Sequence, residues 1–96
     1  MEPANSDITV SDVVVSRAGR DQGEWFYVID ADPVYLFLAN GKDRTMEKPK
    51  RKKRKHVQKV LRSETRVAAK LRSGDKVLNG ELRRDLAFLA RETASE

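Results

Sequence analysis

The sequence predicts a small, mainly β protein: a short antiparallel sheet closing into a barrel, with a basic arm and a C-terminal helix. Three observations predict it. Short runs rich in β-branched and aromatic residues recur between residues 12 and 38, parted by Gly, Pro and Asp. Seven of the eight residues Lys48–Lys55 are basic, and Pro49 interrupts any helix there. Leu78, Leu82, Leu86 and Leu89 follow one another at steps of four, four and three, which draws one apolar face along a helix.

Ninety-six residues suit one small domain with a modest core. Hydrophobic residues make up 39% and charged residues 36%, so the apolar side chains must be concentrated to fold at all. No apolar run approaches the length of a membrane span, so no membrane partner is expected. The start, MEPANSD, has neither a basic opening nor an apolar stretch, and no signal peptide is expected. There are no cysteines, which excludes disulfides, thiolate metal sites and thiol catalysis and fits a cytoplasmic setting. The net charge of +5 hides an asymmetry. Residues 1–41 are net −5, residues 42–72 net +11 and residues 73–96 net −1. A middle that basic is a polyanion-facing surface.

Residues 1–10 read as a flexible leader. Asp12–Ser16 (DVVVS) is the first strand, with Val13 and Val15 on one face and Val14 on the other. Arg17–Glu24 (RAGRDQGE) is a glycine-containing loop that carries Arg17 and Arg20. Those two are either solvated or brought to phosphate by the tight backbone. Trp25–Ile29 is a second strand and Asp30–Pro33 a turn. Val34–Leu38 is a third strand, with Val34, Leu36 and Leu38 inward. Tyr35 and Phe37 then point outward, to stack on bases, to pack a partner, or to be covered by the terminal helix. Asn40-Gly41 is a hairpin signal, which makes Arg44–Glu47 (RTME) the returning strand. Residues 57–72 fit either a last strand near His56–Val60 or a helix, and residues 67–78 read as a linker. Asn79 is the expected N-cap of the final helix, residues 79–92.

The segments VVVSRAGRDQG and LANGKDRTMEKPKRKKRKH resemble the KOW region of the eukaryotic- and archaeal-type large-subunit ribosomal protein family fourteen-e. They are most similar to the short bacterial KOW-domain RNA-binding proteins of that group. The likeness covers roughly residues 11–58. Asn40 stands where the family often has Asp. The resemblance implies an SH3-like (KOW) β-barrel over residues 11–66, including the basic arm 48–56, with Gly23 as the motif's signature glycine. It also implies structured ribosomal RNA, or the ribosome, as partner, and favours the strand reading of His56–Val60.

Several readings of Lys48–Lys55 compete: a solvated charge run, a nuclear import signal, a membrane-surface anchor, and binding to nucleic-acid phosphates. A run this dense without one acid favours phosphates, and is expected to be partly disordered until its partner arrives. RNA is preferred over DNA because no helix-turn-helix, zinc-finger or basic-zipper pattern is present. The candidate contacts are Arg17, Arg20, Lys42, Arg44, Lys48, Lys50, Arg51, Lys52, Lys53, Arg54, Lys55 and His56. His56, the only histidine, has no cysteine or clustered acid for a metal site and no nucleophile beside it. It reads as structural or as an RNA contact. No catalytic pattern is present and no cofactor or metal is expected, so the chain reads as a binding protein and not an enzyme. Two alternatives remain: a protein-interaction adaptor working through Trp25, Tyr35 and Phe37, or a non-specific DNA-binding architectural protein. The leucine face of the last helix either packs on the barrel or meets a protein partner.

Overall fold

The computed structural model describes residues 5–94. Five strands form one antiparallel sheet: β1 Asp12–Ser16, β2 Trp25–Ala31, β3 Tyr35–Ala39, β4 Lys50–Lys53 and β5 Val57–Arg62, in the order β4-β3-β2-β1-β5. Helices α1, Arg66–Ser73, and α2, Asn79–Ala94, follow. A single 3-10 turn, Arg54–His56, leads from one edge strand, β4, to the other, β5. Three residues in that conformation advance only about 6 Å. The two edges are therefore drawn together and the sheet curls. It does not close, because β4 and β5 form no ladder with each other. Irregularities at Val13/Val14 and Val28/Asp30 supply local bending.

Strand alternation gives the sheet two apolar faces. One carries Val14, Phe26, Val28, Leu36, Leu38 and Val57 together with Ile8. The other carries Val13, Tyr27 and Ala39, and it is covered by Val67 and Ala68 of α1, by Val77, and by Leu82, Leu86 and Leu89 of α2. We refer to these as the Ile8 face and the helix face. The leucine face of α2 is thus occupied within the chain. Leu78, which the spacing assigned to that face, is 56% exposed just before the helix.

Several expectations are corrected. The Arg44–Glu47 segment is not a strand; β3 pairs instead with Lys50–Lys53. The basic arm is therefore ordered, with Lys50–Lys53 a strand of the sheet and Arg54–His56 a 3-10 turn. The cause lies in the preceding loop. Asn40 Oδ1 accepts the amides of Lys42 and Arg44, while the Asn40 and Gly41 amides both donate to the Arg44 carbonyl. The chain then passes to α2, where the Met46 amide donates to Asn79 Oδ1 at 2.8 Å and Asn79 Nδ2 donates to Glu47 at 2.8 Å. Gly41 sits at φ +78°, and a Cβ there would overlap the Asn79 carbonyl oxygen, so this contact requires glycine. Only beyond Pro49 is the backbone free to pair.

Asn79, spent on that loop, does not cap α2. Glu81 does so by accepting the Leu78 amide at 2.9 Å, one half of a capping box. The expected linker begins as helix α1, which Thr65 caps by accepting the Ala68 amide and Gly74 ends in the left-handed conformation. Val34 is 54% exposed and not inward. Asp32 Oδ1 accepts the amides of Val34 and Tyr35, which holds Val34 in the turn and starts β3 one residue later. Of the expected leader, residues 1–4 lie outside the described residues. The remainder packs: Ile8 is buried, and Asn5 Nδ2 donates to the carbonyls of Arg54 and Val57.

The helix face is fastened by one polar group. The Tyr27 hydroxyl of β2 lies against Asp85 of α2, is 2.7 Å from Ser63 Oγ, and is 3.3 Å from Thr65 Oγ1. Thr65 Oγ1 also donates to Asp85 Oδ2 at 2.8 Å. Burial, and then the Asp85 carboxylate, push the Tyr27 hydroxyl up to about 12. Tyr27→Phe leaves half-buried Asp85 and buried Ser63 each short of a partner and should destabilise the protein by about 1–3 kcal/mol, measured by urea unfolding.

Candidate nucleic-acid interface

The register of β4 sorts its four cations. Lys50 and Lys52 lie opposite Leu38 and Leu36, and Arg51 and Lys53 lie opposite Phe37 and Tyr35. Opposed residues share a face, so Lys50 and Lys52 fall on the Ile8 face, Arg51 and Lys53 on the helix face.

On the Ile8 face the two lysines converge on one carboxylate. Asp21, from the β1–β2 loop, takes Lys52 Nζ at 2.7 Å on Oδ1 and Lys50 Nζ at 2.6 Å on Oδ2. Ser16 Oγ donates to the same Oδ1 at 2.7 Å, and Lys52 Nζ also donates to the Ala18 carbonyl at 2.6 Å. The loop is shaped for this by Gly19 and Gly23, both at positive φ, with the Gly23 amide closing onto the Ser16 carbonyl. Lys52 is 8% exposed and Asp21 is 7% exposed. Burial would raise the Asp21 pKa; the Lys50 and Lys52 ammonium groups and the Ser16 hydroxyl outweigh it and hold the carboxyl well below the usual carboxylate range.

On the helix face the cations meet aromatic rings. The Arg51 guanidinium carbon sits 4.4 Å from the centroid of the Tyr35 ring. Tyr35 and Phe37 are half-buried and lie outside the cluster beneath the helices; Arg51 and Lys53 are exposed. Here two aromatic side chains and two cations alternate on one surface of a β-hairpin.

The twelve candidate contacts therefore separate. Arg20, Lys42, Arg44, Lys48, Arg51, Lys53 and Lys55 are exposed. Lys50 and Lys52 are taken by Asp21. Arg54 is also committed: it donates to the carbonyls of Asp32, Asn5 and Ile8, tying the N-terminal turn to the β2–β3 turn. Arg17 is exposed but bonded through Nε to Gln58 Oε1 at 2.9 Å, and its backbone amide donates to the His56 carbonyl. His56 is half-buried in the 3-10 turn. The arginine-bearing loop and the basic strand meet, but through Asp21, which is not among the candidate contacts. Its signal was its place as one of two acids in a loop framed by glycines and arginines. Beyond β4, Lys59 and Arg62 pair with buried Asp12, and Lys70 pairs with Glu81. Much of the +11 surplus is in this way structural.

Among the described residues no three His, Cys, Asp or Glu side chains group as metal ligands, and no helix is long and apolar enough to cross a membrane. Compared with known proteins, the chain matches no family model and no curated sequence.

Asp21→Asn strands the buried Lys52 ammonium and should cost on the order of 3 kcal/mol at neutral pH. Because the folded carboxyl titrates below its unfolded value of about 3.9, its contribution is complete above that value and is lost as pH falls through the lower, folded one. Urea unfolding should show less loss of stability on acidification below about pH 4 in Asp21→Asn than in the parent.

Proposed function

We propose that this is an RNA-binding protein whose interface is the outer surface of the β3–β4 hairpin with the loop that joins its strands. The observation that carries this reading is the pairing of exposed Arg51 and Lys53 with half-exposed Tyr35 and Phe37 on an ordered strand. Lys42, Arg44 and Lys48 extend the positive surface along the connecting loop, and Lys55 extends it past the strand. Phosphates neutralised by these side chains release counterions, so binding is strong and salt-dependent. Rings beside the cations add base contact, which a bare charge run lacks.

The fold we infer is an open SH3-like barrel of the KOW type. The strand order, the 3-10 turn between the last two strands and the resemblance of residues 11–58 to KOW proteins support it. By that resemblance the preferred RNA is structured ribosomal RNA, met on the ribosome in the cytoplasm, and the protein binds without catalysing a reaction. Fold alone would not carry this reading; the surface chemistry of β4 does.

The partition of the lysines provides the test. A salt series of binding to a ribosomal RNA fragment should show the slope of log affinity against log salt falling by about 0.7–0.9 for each phosphate contact removed. Lys53→Gln should produce that fall without loss of stability. Lys52→Met, removing a neighbouring lysine that faces Asp21, should lower stability and leave the slope unchanged. Equal slopes for Lys53→Gln and the parent would overturn this interface. Affinity for duplex DNA equal to that for the RNA at every salt concentration would make the surface a general polyanion patch.

A further inference from the structure

We propose that Arg51, laid on the Tyr35 ring, is a stacking platform for one unpaired base, so that the RNA presents a single-stranded loop or bulge to the β3–β4 surface. This rests on the RNA-binding reading above and adds to it which form of RNA the site takes. The guanidinium carbon lies over the Tyr35 ring, 4.4 Å from its centroid. Arg51 is exposed, and among the described residues no carboxylate lies within ion-pairing distance of it. Asp32 feels its charge without pairing with it.

The geometry suits a base better than a phosphate. A phosphate takes guanidinium N–H groups edge-on and gains nothing from a ring beneath. A base takes the flat face, and a guanidinium already held over a ring loses little freedom when a base settles on it. Tyr35 and Phe37, two residues apart on one strand face, are separated by about 7 Å. Arg51 lies opposite Phe37 and reaches along the strand to Tyr35. The base would therefore sit on Arg51 with Phe37 at its edge, and Lys53, opposite Tyr35, is placed for the phosphate of the same nucleotide. Paired RNA hides its base faces in the stack and presents mainly backbone and 2′-hydroxyl groups, so it would leave this platform unused.

Two RNAs of equal phosphate number test this: a hairpin with an unpaired loop carrying 2-aminopurine, and a blunt duplex. The parent should bind the hairpin more tightly and quench the 2-aminopurine. Arg51→Lys keeps the charge at an edge-strand position and removes the planar face. It should lower hairpin affinity about tenfold, the range of one lost base stack, abolish the quench, and leave duplex affinity and both salt slopes unchanged. Tyr35→Leu, checked for an unchanged melting temperature, should act alike. Arg51→Lys indistinguishable from the parent on the hairpin, or weakened equally on hairpin and duplex, would overturn the platform while leaving RNA binding standing. A parent that binds neither RNA would instead remove the RNA-binding reading itself.

Discussion

A strand of sequence KRKK has to be neutralised before it can pair, and a single carboxylate does this. In a β-strand Lys50 and Lys52 lie on the same side about 7 Å apart, facing an apolar surface. Without a counter-charge that side of β4 would be expelled to water and the strand lost from the sheet edge. Asp21 forms an ion pair with both lysines, accepting a hydrogen bond from Lys52, and Ser16 donates to it as well. Gly19 and Gly23 shape the β1–β2 loop that brings this carboxylate to the edge strand β4.

The clamp also decides what the other side of β4 displays. With Lys50 and Lys52 turned inward, alternation obliges Arg51 and Lys53 to project from the opposite face beside Tyr35 and Phe37. The charged side chains further discourage pairing of this edge with another sheet. The Tyr27–Asp85–Thr65 group holds α2 over the middle of the helix face, and the aromatic pair on β3 stays outside the cluster it covers. One side of the basic strand is thus part of the fold, and the other is surface.

The strands Asp12–Ser16 and Trp25–Ala31 and the leucine-faced helix were legible because their residues carry simple periodicities. The helix α1 was legible only as one of two readings of residues 57–72, because its Val67, Ala68 and Leu71 are few and set among cations, and what fastens it, Thr65 and the Tyr27 group, is tertiary. The basic strand was read as an arm because intrinsic charge outweighs propensity in a local reading; the partner that reverses this lies some thirty residues away. Asn79 looked like a cap, and its diversion to Met46 and Glu47 could be seen only once the loop and helix were side by side. Composition singled out the basic region as a whole. Which cations were free depended on strand parity and on where the acids stood.

The central claim is that residues 50–53 are a folded strand in the free protein. Native-state amide hydrogen exchange on the free protein tests it most directly. The account predicts that the β4 amides facing β3 are protected together with those of β3, and that Asp21→Asn removes the protection. Exchange of Lys50–Lys53 at unstructured-chain rates in the free protein, with protection arising only on adding RNA, would contradict it.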